Sequence, residues 1–254
     1  MARAWFLLGI YSLGLFFVLE AMLIPAILYW PDFADNVDAL KAVSPLPMLK
    51  ELVDEMDFGG AYAYISGQQF FKACNTVGTA AAVLFASGAV AGEAHRGTLE
   101  LFLSRPFSRS RILTERYVLG LVALFVPVFG TTLTIVPLAD HVDEVLEYSP
   151  LLLAAVHQSS LLIAIYSVVF FLSTRVSNPM PLAVGAIFLT SLQFALYMVE
   201  GVTDYSLYRL TDIHDFMRID NERTLDWRVV GPLLSVALAF FGLSQWSFRK
   251  RLPN

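Results

Sequence analysis

The residues best equipped for chemistry in this sequence stand where water is scarce. Glu20 lies deep in one long apolar run, His157 and Gln158 sit side by side in another, and Gln193 falls in a third. A carboxylate and an imidazole held away from solvent are what an intramembrane acid–base enzyme or a proton relay requires, and amides beside them would line a polar route. Catalysis needs a second group within reach, and no other ionisable side chain stands one helical turn from Glu20 or from His157. For each of these residues alone the competing reading is an interhelical hydrogen bond, and at this level both readings stand open. Lys72 and Glu200 fall near the ends of apolar runs, where long side chains reach the interface.

Known catalytic signatures are missing: the sequence contains no GxSxG, no HExxH and no Walker-type nucleotide loop. His95, His141, His157 and His214 are dispersed along the chain, and the single cysteine, Cys74, excludes an intramolecular disulfide and a cysteine-based metal site. The chain is therefore expected to be non-catalytic, with no cofactor or metal of its own.

The elements that must position these residues follow from composition. Hydrophobic residues make up 57% of the chain, charged residues only 15%, and the mean hydropathy is +0.63. A soluble domain is about 45–50% apolar, so an ordinary soluble fold is excluded. A hydrocarbon core of about 30 Å takes roughly 20 apolar residues per helical crossing, because the backbone must satisfy its own hydrogen bonds there. Runs at 5–30, 70–91, 117–138, 151–172, 180–199 and 229–246 meet that requirement. The pattern predicts an all-α integral membrane protein, a single domain over 1–254 with six transmembrane helices. A long inner loop at 92–116 and outer loops at 31–69, 139–150 and 200–228 connect them. The first run is too long for a secretory signal and lacks a small-x-small cleavage site before Pro25.

Charge then predicts orientation, since Lys and Arg collect on the cytoplasmic side of membrane proteins. With both termini inside, the inner segments carry Arg3, Arg96, Arg105, Arg109, Arg111, Arg116, Arg175, Arg249, Lys250 and Arg251. All but Glu20, Glu93, Glu100 and Glu115 of the 22 acidic residues fall outside. In the outer loops, Leu49, Leu52, Val53 and Met56 recur at helical spacing among charges, which predicts a surface amphipathic helix within 45–59. The outer segment 203–226 reads as partly helical. Within the second run, Gly88 and Gly92 form a GxxxG, a spacing that lets helices approach closely, within the chain or at a homodimer seam.

The inner stretch GEAHRGTLELFLSRPFSRSR (92–111) is polar and broken in a chain that is otherwise mostly apolar. Gly92 and Gly97 interrupt the descending helix, and Thr98 is placed to cap a short helix in which Glu100 favours the positive end of the dipole. Leu99, Phe102 and Leu103 share one face of it, and Pro106 stops it, restricting Arg105 before it. A second helical start near Ser108 carries Arg109, Arg111 and Ile112 into the third run. The product is a helical elbow, apolar on one side and basic on the other. Two readings stand open: a loop resting on anionic lipid headgroups, or a docking element for a partner.

The run Glu93, Gly97-Thr98-Leu99-Glu100-Leu101, Leu103-Ser104, Pro106, Ser108-Arg109 and Ile112-Leu113 resembles the signature loop of permease subunits in the type-two family of ABC exporters. That family includes drug and lantibiotic exporters and the permease of nitrous-oxide reductase maturation. The likeness covers about 25 residues closely, and the six-helix plan agrees over the rest. One departure is that only Met1 to Ala4 precede the first run, where family members carry a longer amphipathic segment. The resemblance implies a permease that forms half of a membrane dimer, seated on two copies of a separate ABC ATPase that holds ATP and magnesium. It implies a multi-pass protein of a prokaryotic plasma membrane, in contact with the lipid bilayer and not with nucleic acid. Contacts with the ATPase would fall on Glu93, Gly97, Thr98, Leu99, Glu100, Phe102, Leu103, Arg105, Pro106, Arg109 and Ile112, and Glu20, His157, Gln158 and Gln193 would be pathway candidates. The alternative is a membrane scaffold that binds a cytoplasmic partner through 92–116 without transporting anything.

Overall fold

Apolar length dictates the architecture. The computed structural model describes residues 2–43, 47–98 and 108–250. Six of the helices there are long and apolar enough to cross a membrane, and the described residues contain no strand. Helix α1 (Ala2–Leu28) runs almost directly into α2 (Trp30–Val43), which bends at Asn36 as its side-chain amide turns back to the Asp32 carbonyl. Helix α3 (Pro47–Phe58) is amphipathic, burying Met48, Leu52 and Met56 at four-residue spacing. Lys41 ties α2 to α3 through Asp54 and Asp57, at 2.7 and 3.0 Å.

The second long helix, α4 (Gly60–His95), begins well before the expected position 70. Its first turns are polar enough to read as loop, yet the neighbouring helices answer them. Gln69 donates to the Thr131 hydroxyl at 2.6 Å, and Asn75 joins Gln158 and Thr211. Between Gly67 and Gly78 the helix takes the wider π form, with hydrogen bonds reaching five residues along the chain. Ahead of that stretch, the Tyr64 ring packs at a tilt against Trp30 and Phe33, fixing α4 to the α1–α2 corner.

Helices α5 (Arg109–Ala139), α6 (Tyr148–Ser173), α7 (Pro179–Tyr197) and α9 (Trp227–Lys250) complete the bundle, with the short α8 (Ile213–Glu222) outside it. The hub is α6, which packs on α4, α5 and α9 and is buried on most of its surface. It runs parallel to α4: the Tyr62 hydroxyl donates to the Pro150 carbonyl at one end, and Ser173 donates to the Ser87 carbonyl at the other. Helices α1 and α7 lie at the margin against α5 and α4, leaving apolar faces open, with Phe17 and Phe188 each more than 60% exposed. Such faces call for an apolar surrounding, lipid or a second chain.

Acidic side chains gather at one end of the bundle, on α2, α3, α8 and the connections between α7 and α9, which together form a cap. There Asp212 caps α8, accepts from the Tyr197 hydroxyl at 2.8 Å and pairs with Arg209. Arg218 bridges Asp215 and Asp226. Basic residues occupy the opposite end, where α4 leaves toward α5, here called the elbow end.

Within the chain, close helix approach falls at Gly120 and not at the GxxxG pair. A methyl group on Gly120 of α5 would lie within 3 Å of the Tyr166 ring and hydroxyl of α6, whereas nothing described lies within 4 Å of one placed on Gly88. Gly120→Ala should therefore cost about 1–3 kcal/mol by overpacking, and Gly88→Ala should be close to neutral. Thermal unfolding in mild detergent measures both, and a Gly88 variant as damaged as the Gly120 variant would contradict the packing described.

Glu55 on α3 supplies a pH dependence. Burial, with the Asp212 and Glu51 carboxylates nearby, pushes its carboxyl up from 4.5 to about 7, and Arg209 offsets only part of that rise. The folded cap thus holds this proton more tightly than the unfolded chain, so its contribution to stability falls as pH rises between these values. Unfolding midpoints at pH 5 and pH 8 should differ less in Glu55→Gln than in the parent protein.

Candidate coupling elbow and polar interior

The elbow is anchored on both sides by capping chemistry. Gly97 ends α4 with φ of +67°, a left-handed conformation in which a side chain is strained. The Gly97 amide donates to the Ala94 carbonyl and the Thr98 amide to the Glu93 carbonyl, the pair of bonds that defines a Schellman ending. The hydroxyl of Thr98, expected to open a new helix, turns back and donates to the Glu93 carboxylate. On the far side Ser108 is extended, and its hydroxyl accepts the Arg111 amide as the N-cap of α5. Leu99, Glu100, Phe102, Leu103, Arg105 and Pro106 lie outside the described residues.

Glu93 is turned inward. Its side chain is only 9% exposed and accepts from Arg96 at 2.9 Å and from Arg116 of α5 at 3.4 Å. Arg116 also donates to the Ala89 carbonyl at 2.6 Å, filling a backbone acceptor of α4. The last turn of α4 and the second turn of α5 are thereby clasped across the elbow. Sequence reading placed Glu93 among the partner contacts and counted Arg116 only as a topological charge. The Glu93 to Arg96 spacing of three residues was the legible half of the clasp, and the α5 half needed the fold.

Beyond the clasp, α5 is tied to α9. Ser110 donates to Gln245 at 2.8 Å, Gln245 donates to Thr114 at 2.9 Å, and Arg109 reaches the Arg249 carbonyl at 3.3 Å. Ile112 is buried. At the lesser inner connection, Ser173 at the end of α6 accepts from the Val90 and Ala91 amides of α4. Arg175 lies over the Phe171 ring, 5.2 Å from its centroid. The elbow end therefore joins α4, α5, α6 and α9 by polar contacts.

The four interior candidates do not converge on one site. Glu20 of α1 accepts from Thr134 of α5 at 2.7 Å. The His157 Nε2 donates to the Leu210 carbonyl at 3.0 Å, which ties α6 to the cap and fixes the proton on that nitrogen. Gln158 turns to Asn75 on α4. Gln193 accepts the Leu207 amide at 2.9 Å while its own carbonyl accepts from Ser206, so it holds the cap connection to α7. Only His157 and Gln158 share a neighbourhood, and each makes an inter-element hydrogen bond. Asn75 and Thr131, central to this polar interior, went unnoticed in the sequence because they look like interruptions of an apolar run. Among the described residues no group of His, Cys, Asp and Glu side chains could hold a metal ion.

Six apolar crossings around a polar-bonded core, with broad apolar faces exposed, define a multi-pass membrane protein. The profile of the family described as ABC-2 family transporter protein matches residues 13–251, and the chain belongs to that family as a membrane-spanning permease. A search of curated proteins gives no match.

The clasp sets a measurable cost. Glu93→Ala removes the carboxylate that pairs with Arg116, which is 18% exposed, and should lower stability by about 1–3 kcal/mol, the cost of losing a partly buried hydrogen bond to a charged group. Gly97→Ala should cost about 1 kcal/mol for the left-handed backbone. Both are read from thermal unfolding, and a Glu93→Ala protein as stable as the parent would show that the clasp carries no load.

Proposed function

We infer that this permease is one half of a membrane homodimer seated on two copies of a separate ABC ATPase, and that it exports its substrate from a prokaryotic cytoplasm across the plasma membrane. ATP and magnesium would be held by the ATPase alone. The elbow between Gly97 and Ser108 is the docking element, with Leu99, Phe102 and Leu103 as its apolar face and Glu100, Arg105 and Arg109 as its polar contacts. Pro106 and Gly97 set the bends.

The observation that carries this reading is the Glu93–Arg116 clasp. A docking loop hung on two independent helices would swing without moving either. Here the two helices that leave the elbow are joined within a turn of it, and α5 is joined in turn to α9. A push on the elbow is then delivered to the bundle as a rigid-body movement, the kind that shifts a population between two arrangements. The gathering of arginines at this end supports a cytoplasmic elbow, and family membership supports an ATPase partner. The export direction rests on the likeness of the 93–113 run to exporter permeases.

The test separates docking from coupling. Purified from its own host, the chain should carry an ABC ATPase subunit through purification. Phe102→Asp should abolish the association while the permease still inserts and elutes as a single species. Glu93→Gln should keep the association yet lower the permease-dependent ATPase rate by about tenfold, the scale of losing a charge-assisted contact. An intact complex with Phe102→Asp would refute the elbow as the docking element, and no ATPase with the parent chain would point to a scaffold instead.

A further inference from the structure

The uncovered GxxxG face of α4 opens onto a cleft of about 310 Å³ between α1, α4 and α5. A methyl group on Gly88 would meet nothing described, and one on Gly92 would meet only the flexible guanidinium of Arg96. The cleft has two zones. Along the helices it is walled by Tyr11, Leu84, Phe85 and Leu119, with Tyr11 and Leu84 each more than half exposed, and at the elbow end its mouth carries Arg96 and Glu115.

Size and charge together select an occupant. From Leu84 to Glu93 the cleft follows nine residues of α4, about 14 Å of helix and so about half of a hydrocarbon core of ~30 Å. It runs through one leaflet. Its walls are apolar along that length, and Tyr11 and Leu84 leave it open on the outer face of the bundle, where an extended hydrocarbon chain can lie in it. At the mouth, Glu93 is already occupied by Thr98, Arg96 and Arg116. Arg96 remains 60% exposed with most of its donors unspent, and Glu115 stands beside Arg116 on the next helix. One available guanidinium and one carboxylate match a headgroup that carries both charges.

We propose that this cleft is a phospholipid site: one acyl chain lies along Gly88 and Leu84, and a zwitterionic phosphoethanolamine headgroup places its phosphate on Arg96 and its ammonium on Glu115. Hydrogen bonding makes the choice of headgroup. A primary ammonium donates to a carboxylate, a quaternary one has no N–H to give, and a glycerol headgroup has no cation at all. The lipid then sits directly against the Glu93–Arg116 clasp, with its chain between α1 and the two helices of the elbow.

Native mass spectrometry of the delipidated full chain, titrated in turn with dioleoyl phosphatidylethanolamine, phosphatidylcholine and phosphatidylglycerol, tests the site. One phosphatidylethanolamine per chain should be retained, with the other two lipids held about tenfold more weakly, the scale of one charge-assisted hydrogen bond. Arg96→Gln and Glu115→Gln should each reduce phosphatidylethanolamine to the level of the others, and Gly88→Leu, which fills the chain site, should reduce all three. If Gly88→Leu does not insert, the two mouth variants carry the test, since both residues are partly exposed. Equal retention of the three headgroups by the parent chain would overturn the proposal. So would unchanged lipid retention in both mouth variants, or disulfide cross-linking of two Gly88→Cys chains with no lipid retained.

Discussion

In a hydrocarbon slab every polar group must find its partner inside the protein, and in this chain α6 is where many of them find it. The helix offers His157 to the cap, Gln158 to α4, Ser167 to Tyr117 of α5 and Ser173 to the backbone of α4 near the elbow. Each bond is modest by itself, yet breaking one leaves a buried donor or acceptor unanswered, which costs about 1–3 kcal/mol. The neighbours are thus held in register along α6 by directional contacts, while the apolar packing around Tyr166 and Phe170 supplies area without choosing a register.

How much of this was legible differed with the kind of signal. The crossings α1, α6, α7 and α9 are uniform apolar runs, so length alone marks them. The amphipathic α3 was legible from its periodicity, although the buried stripe runs through Met48, Leu52 and Met56 with Leu49 and Val53 at its edge. The start of α4 was hidden, because Gln69 and Asn75 look like loop residues until Thr131, Gln158 and Thr211 are set beside them. Those partners are far away in the chain, and no local pattern encodes them.

The elbow shows the same division. Gly97 and Ser108 announce the two ends by residue type alone, since a left-handed backbone favours glycine and an extended cap favours serine. Glu93 announced itself as well, but its inward contacts with Arg96 and Arg116 did not, because a carboxylate near a helix end looks the same in sequence whichever side it faces. Thr98 adds a contact that residue type did not show, its hydroxyl donating back to the Glu93 carboxylate.

The wide turns of α4 between Gly67 and Gly78 carry a last implication, for how the chain tolerates change. A π stretch stores surplus residues within a continuous helix. Loss of a single residue there could be absorbed by narrowing one turn to α form. A residue removed just below Gly78, where the helix is in α form and has no surplus to give up, would instead turn everything beyond it by about 100° and draw it in by about 1.5 Å. Gly88, Glu93 and the elbow would then face a different helix while the cap above stayed in place. The residue count between Gly78 and the elbow, more than the identity of its side chains, therefore sets which way the elbow points.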